Sequence, residues 1–191
     1  MSRELSQQRK YVNSRLICDE ALTGSKYLEE ILARLTKTFD LLPGAEQQLF
    51  FSGNRKIFIN IVSDPKLPFG MKTRSITHKS GPRYTIFVCE ECGEWPEDRF
   101  LGAFLRELGH VVAEIPPEED WPATRGERAR FKESSELLAD GMLWKWGLRH
   151  YDMSYLVATF PSHWVDRIVS DIEKLLEHDE RFKREPTSPS E

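Results

Sequence analysis

The chain is poor in the features that mark several large classes of protein. It has only three cysteines in 191 residues, an odd and small number that fits a reducing compartment rather than a disulfide framework. No apolar run approaches the roughly 18 residues of a membrane span. The first residues, Met1-Ser2-Arg3-Glu4-Leu5-Ser6-Gln7-Gln8, hold no hydrophobic signal core. The expectation is a cytoplasmic protein with no membrane partner. Excess positive charge is also missing: the net charge is −4, so no nucleic-acid partner is expected. The locally basic stretch Arg125–Lys132 reads as a solvated helix start. The sequence contains no Gly-rich phosphate loop, no Gly-x-Ser-x-Gly elbow and no internal repeat.

What is present is globular. Hydrophobic residues make up 39% of the chain and include eleven Phe and five Trp, enough for a core without covalent staples. The length suits one domain, placed at residues 1–183. The polar, proline-rich stretch 184–191 reads as a disordered tail.

Periodicity predicts a mixed polar helix over 4–18 and a second helix over 26–39, with Leu28, Ile31, Leu32 and Leu35 at helical spacing. The runs 48–52 and 56–62 are rich in β-forming residues and flank Gly53-Asn54-Arg55, which predicts a hairpin. Residues 64–82 read as a loop, and 83–88 as a further strand. Pro96, Glu97 and Asp98 mark a helix start. The apolar face of that helix holds Phe100, Leu101, Phe104, Leu105, Leu108, Val111, Val112 and Ile115, and Pro116-Pro117 stops it. Helices over 128–146, stopped at Gly147, and over 162–182 complete the chain. Helices, then a small sheet, then helices is an α+β order.

Opposite Leu108, a 3.6-residue period aligns Ala103, Arg106, Glu107, His110 and Glu114 in one stripe. Alone, it reads as a polar face in solvent. On the following predicted helix, Glu133, Glu136 and Asp140 share one side. Two ligands one helical turn apart, an intervening Glu and a carboxylate from another element are what a catalytic zinc ion requires.

The block from Arg83 to Trp146, about a third of the chain, resembles the core of the zincin metallopeptidases of the gluzincin type. There an edge strand lining the cleft precedes a His-Glu-x-x-His helix, and a later helix carries Glu-x-x-x-Asp. The matching segments here are Tyr84–Val88, Arg106-Glu107-Leu108-Gly109-His110, and Glu136 with Asp140. The resemblance implies a zincin-like α+β fold: a small antiparallel or mixed sheet packed on the motif helix, with additional N- and C-terminal helices. It also implies Glu107 as general base and His110 and Glu136 as metal ligands, with Asp140 a lesser ligand candidate or an orienting carboxylate. Arg106 departs from the pattern, standing where the first histidine ligand belongs.

That departure matters physically. A guanidinium has no free lone pair and keeps its proton. About 4 Å from a divalent ion, at an effective dielectric near 20, it is repelled by roughly 8 kcal/mol. A full structural zinc site is worth about 10–16 kcal/mol. Two readings follow. In the first, the fold lacks catalytic zinc and any other cofactor, Arg106 replaces the ion electrostatically, and the protein is an inactive relative that binds a peptide or protein partner. In the second, His110, Glu136 and Glu114 hold zinc one turn along, Arg106 turns outward or stabilises an oxyanion, and Glu107 serves an active hydrolase.

Other candidates are weaker. Cys89-Glu90-Glu91-Cys92 lacks a second ligand pair, and its glutamates disfavour a thiolate, so both thiols read as structural. His78, His150, His163 and His178 show no ligand spacing, and Trp144, Trp146 and Trp164 read as core. The last helix, with Trp164, Ile168, Ile172, Leu175 and Leu176, reads as packing back on the domain, with a homodimer contact as the alternative.

Overall fold

The fold is α+β, built around a buried central helix. The structure is a computed structural model and describes residues 6–18, 27–52, 56–63, 70–76 and 83–183. The tail at 184–191, the turn at 53–55 and His78 lie outside the described residues.

The chain opens with helix α1 (Gln7–Arg15) and continues directly into strand β1 (Leu16–Cys18). The uniform helix expected over 4–18 is therefore shorter, because Leu16–Cys18 pair in parallel with the next strand. Helix α2 (Leu28–Leu41) buries Ile31, Leu32, Leu35 and Phe39 along one stripe. Helix α3 (Gly44–Phe51) follows at once. A strand was expected over 48–52, and the correction has a local cause: Pro43 sits at the N-cap, and Ala45, Glu46, Gln47, Gln48 and Leu49 are good helix formers. Phe50 and Phe51 then pack as rings against Phe39 rather than alternating across a sheet.

Strand β2 (Lys56–Val62), strand β3 (Met71–Ile76) and strand β4 (Arg83–Cys89) complete a four-stranded mixed sheet in the order β1-β2-β4-β3. Strands β1, β2 and β4 are parallel, and β3 runs antiparallel to β4. Two expectations are corrected here. The stretch read as a loop over 64–82 contains β3. The strand at the cleft-side edge is β3, with β1 at the other edge, whereas β4 lies inside the sheet between β2 and β3. The two parallel-paired runs Ile57-Ile59-Ile61 and Tyr84-Ile86-Val88 bury one face, as the pleat period requires. Strand β3 alternates polar residues instead, and its position at the edge makes that tolerable.

Helix α4 (Glu97–Val112) crosses the molecule beneath this sheet. Every residue from Phe100 to Val111 is buried, so it is covered all round despite carrying Arg106, Glu107 and His110. The helix starts where expected, with Pro96 at the N-cap position and Glu97 as its first residue. Its end comes at Val112, before the proline pair, and Glu114 has a left-handed backbone with φ of 55°. Helix α5 (Arg125–Lys145) is capped by Thr124, whose hydroxyl accepts from the Glu127 amide. The expected stop at Gly147 is observed, with φ of 77°.

Helix α6 (Arg149–Thr159) was not anticipated, although Tyr151, Asp152, Tyr155 and Leu156 carry helical spacing. It packs directly on α4. Helix α7 (Ser162–His178) and the short α8 (Glu180–Lys183) divide the last expected helix in two. Val165 and Ile172 are buried in α7, whereas Trp164 is 55% exposed and so is not core. Among the described residues no helix is long and apolar enough to cross a membrane.

Candidate functional site

Close approach of α4 and α5 creates the site. At Gly109, an added Cβ would lie 2.8 Å from the Ala139 carbonyl oxygen. Glycine therefore lets the two backbones meet one residue before His110. At that depth three residues of the polar stripe are buried: Arg106 and Glu107 are each 8% exposed and His110 9%, with Arg106 and His110 turned to α5 and Glu107 to β3. The reading of this stripe as a solvated face is thus corrected.

Arg106 forks onto Asp140. Its Nε donates to Oδ1, and Nη2 donates to Oδ2 at 3.2 Å. The remaining terminal nitrogen, Nη1, lies 2.9 Å from Glu136 Oε2. His110 Nε2 lies 3.1 Å from that same oxygen, and since a carboxylate only accepts, this ring nitrogen is the donor. One face of the guanidinium lies over the Tyr155 ring, 5.6 Å from its centroid. The structure thereby brings together four residues singled out in the sequence: Arg106, His110, Glu136 and Asp140.

These partners set the charge states. Burial opposes the Arg106 charge, but Asp140 and Glu136 outweigh it and hold its pKa well above the ordinary value. Burial likewise pushes the Asp140 carboxyl up, and the Arg106 charge and hydrogen bonds pull against that. Burial would raise Glu136 too, yet Arg106 and the His110 hydrogen bond win and bring it down to about 2. Burial lowers His110, while Glu136 and Glu107 more than offset it, so the net direction is up. The cluster is a compact set of paired charges.

Glu107 sits at a different junction. Its Oε2 accepts the Thr73 amide of the edge strand at 2.6 Å. Thr73 Oγ1 returns a bond to the Glu107 carbonyl oxygen at 3.3 Å. The candidate general base is thus anchored to β3. Glu114 lies off the helical phase of these residues. The helix ends before it, its φ breaks the i, i+4 phase with His110, and it does not line the cleft. The site shifted by one turn therefore loses its geometric premise. Glu133 faces away and pairs with Arg167 of α7 at 3.4 Å.

Above the cluster lies a cleft of 490 Å³ bounded by β3, the 113–124 loop and α5. Glu107, Arg106, His110 and Glu136 form part of its wall, with Tyr155 alongside. Residues that sequence reasoning missed include Thr73 and Tyr155, the former hidden in a presumed loop and the latter on the unanticipated α6. Lys72 of β3 reaches across to Glu118 at 3.1 Å and spans the mouth. Trp121 secures the loop by a tilted ring contact with Phe131, centroids 5.4 Å apart, and by donating to the Pro116 carbonyl at 2.9 Å.

In this arrangement the groups that would ligate a divalent metal ion are already engaged with each other. The oxygen and nitrogen that would ligate it, Glu136 Oε2 and His110 Nε2, bond each other. A fixed cation bonds the same oxygen, so an incoming ion would meet repulsion and displace two hydrogen bonds. Among the described residues no group of three or more His, Cys, Asp or Glu side chains is placed to hold a metal.

The other candidates stand apart. Cys89 and Cys92 are buried free thiols. Cys92 Sγ donates to the Gly70 carbonyl at 3.3 Å, and burial pushes its pKa up to about 12, which removes thiolate reactivity. His150 is exposed and pairs with Asp98 at 3.2 Å, away from the cleft. No family model matches the chain, and neither curated proteins nor solved structures match it.

Proposed function

We propose that this chain is a zincin-like domain in which Arg106 takes the place of the catalytic metal ion, and that its cleft binds a peptide or protein segment without hydrolysing it. The observation that carries the reading is the shared oxygen of Glu136, bonded by His110 on one side and by Arg106 on the other. In a gluzincin site that oxygen and that imidazole would both face the ion. A guanidinium supplies positive charge there with fixed, planar donors, and Asp140 holds it in a fork. The charge balance of a metal site is met without a Lewis acid or an activated water.

Binding follows from the edge strand. Because the Thr73 amide points off the sheet to Glu107, alternation places the backbone groups of Met71 and Ser75 on the same outer edge. An antiparallel edge beside a cleft is a template for an extended segment. The fold supplies the platform, and the site's charges supply the choice of partner.

The test is Arg106→His. It restores a His, His, Glu ligand set with Asp140 positioned to orient the new imidazole. Zinc titration by calorimetry should show one tight site in this variant and none in the parent. Equal, negligible zinc affinity in both would count against the zincin-like reading.

A further inference from the structure

The cleft mouth carries more positive charge than it pairs. Lys72 and Arg74 project from β3, and Lys132 comes from α5 on the opposite wall. All three act on one carboxylate, Glu118, in the loop after α4. The Lys72 hydrogen bond does most to hold Glu118 below the usual carboxylate range, and Arg74 and Lys132 add to it. Glu118 bonds only Lys72 among the ion pairs of the described residues, at 3.1 Å. Arg74 lies over the Phe87 ring, 5.7 Å from its centroid, and Lys132 is exposed. Neither has an ion-pair partner among the described residues. Glu119 also lines the cleft, so the mouth is not a bare cationic patch. Three cations on two walls face a loop with two carboxylates, of which Glu118 is the one ion-paired to them among the described residues.

Taking the peptide-binding reading as its basis, we propose that the cleft selects an extended segment with acidic side chains, and that Glu118 occupies the position of a ligand carboxylate until such a segment arrives. The geometry favours this over a neutral partner for two reasons. Arg74 and Lys132 offer charge-assisted hydrogen bonds that no carboxylate among the described residues takes. The Lys72–Glu118 bridge is surface-exposed, at 35% and 57% of the two side chains, so exchanging it for a ligand carboxylate costs little. Apolar groups elsewhere in the cleft lining, Phe87, Ile115 and Trp121, give other side chains of the segment somewhere to pack. The chain as a whole is acidic, with net charge −4, so the exposed Arg74 and Lys132 at the mouth also draw an acidic segment toward this face.

The experiment is selection of a random peptide library displayed on phage against the full chain, followed by affinity measurement on the winning synthetic peptide. Retained sequences should be enriched in Asp and Glu. Arg74→Ala and Lys132→Ala should each weaken the winner by about tenfold, with a steeper loss as salt is raised. Glu118→Gln should tighten it severalfold by removing the internal competitor. All three positions are at the surface, so these variants keep the fold. Retained sequences without acidic enrichment would overturn this inference and leave the peptide-binding reading standing. Winners insensitive to both cation substitutions would overturn it as well. Retention of no sequence by the parent chain would count against both the inference and the reading beneath it.

Discussion

Arg106 and Asp140 meet as a two-point fork across the α4–α5 interface, with the carboxylate side chain 1% exposed and the guanidinium 10% exposed. A buried pair of this kind contributes little over a well-packed apolar pair, but removing one partner strands the other. Asp140→Ala should therefore cost about 3–5 kcal/mol in unfolding free energy. The double change Arg106→Met with Asp140→Leu should recover most of that. Urea denaturation followed by tryptophan fluorescence measures both, and a double variant as unstable as Asp140→Ala would show that the fork itself holds the fold.

Two glycines on α4 set how closely its neighbours approach. At Gly109 a Cβ would press on the Ala139 carbonyl, and at Gly102 it would overlap the Tyr151 carbonyl oxygen of α6. Both contacts are with backbone, which cannot swing aside. Gly109→Ala should cost about 1–3 kcal/mol, and Gly102→Ala should cost more. Thermal melts by circular dichroism should give the order parent, Gly109→Ala, Gly102→Ala. Reversal of the last two would place α6 differently.

Asp152 on α6 provides a pH signature. Its Oδ2 accepts from Trp144 Nε1 at 2.8 Å, while Oδ1 is buried without a hydrogen-bond partner. Burial first, and the nearby Asp140 charge second, raise its pKa to about 8. The folded state thus holds a proton that the unfolded chain releases near the ordinary carboxylate value. Between those values the native state binds more protons, so stability falls as pH rises and levels off above about 8. Asp152→Asn mimics the neutral form. Its stability advantage over the parent should grow from pH 5 to pH 8 and then stop growing. A constant gap across that range would mean that Asp152 ionises normally.

Much of the site was legible in the sequence because it follows helical periodicity. Arg106, His110, Glu136 and Asp140 could be grouped from i, i+4 spacing on two adjacent helices, and those are the residues that meet. Glu114 could not be excluded by spacing, since its left-handed backbone ends the phase after α4 has closed. The edge strand was hidden because Met71–Ile76 alternates polar residues and lacks the apolar run that betrayed β2 and β4. Its role depends on a pairing with β4 that no local pattern encodes. Helix α3 was misread because Phe50 and Phe51 favour strands in isolation, while Pro43 and the residues behind it favour a helix and prevail. Tyr155 and Asp152 were missed with α6, although their spacing was there to read. The cations around Glu118 come from two elements far apart in sequence, β3 and α5, and carry no local signal.

The most direct measurement is the zinc content of the untagged parent protein after zinc loading and exhaustive dialysis, by elemental analysis. With Arg106 bonded to Glu136 and Asp140, the account predicts far less than one zinc per chain, unchanged by His110→Ala. Near-stoichiometric zinc that disappears in His110→Ala would contradict it and would make the chain a metal-binding protein at this site.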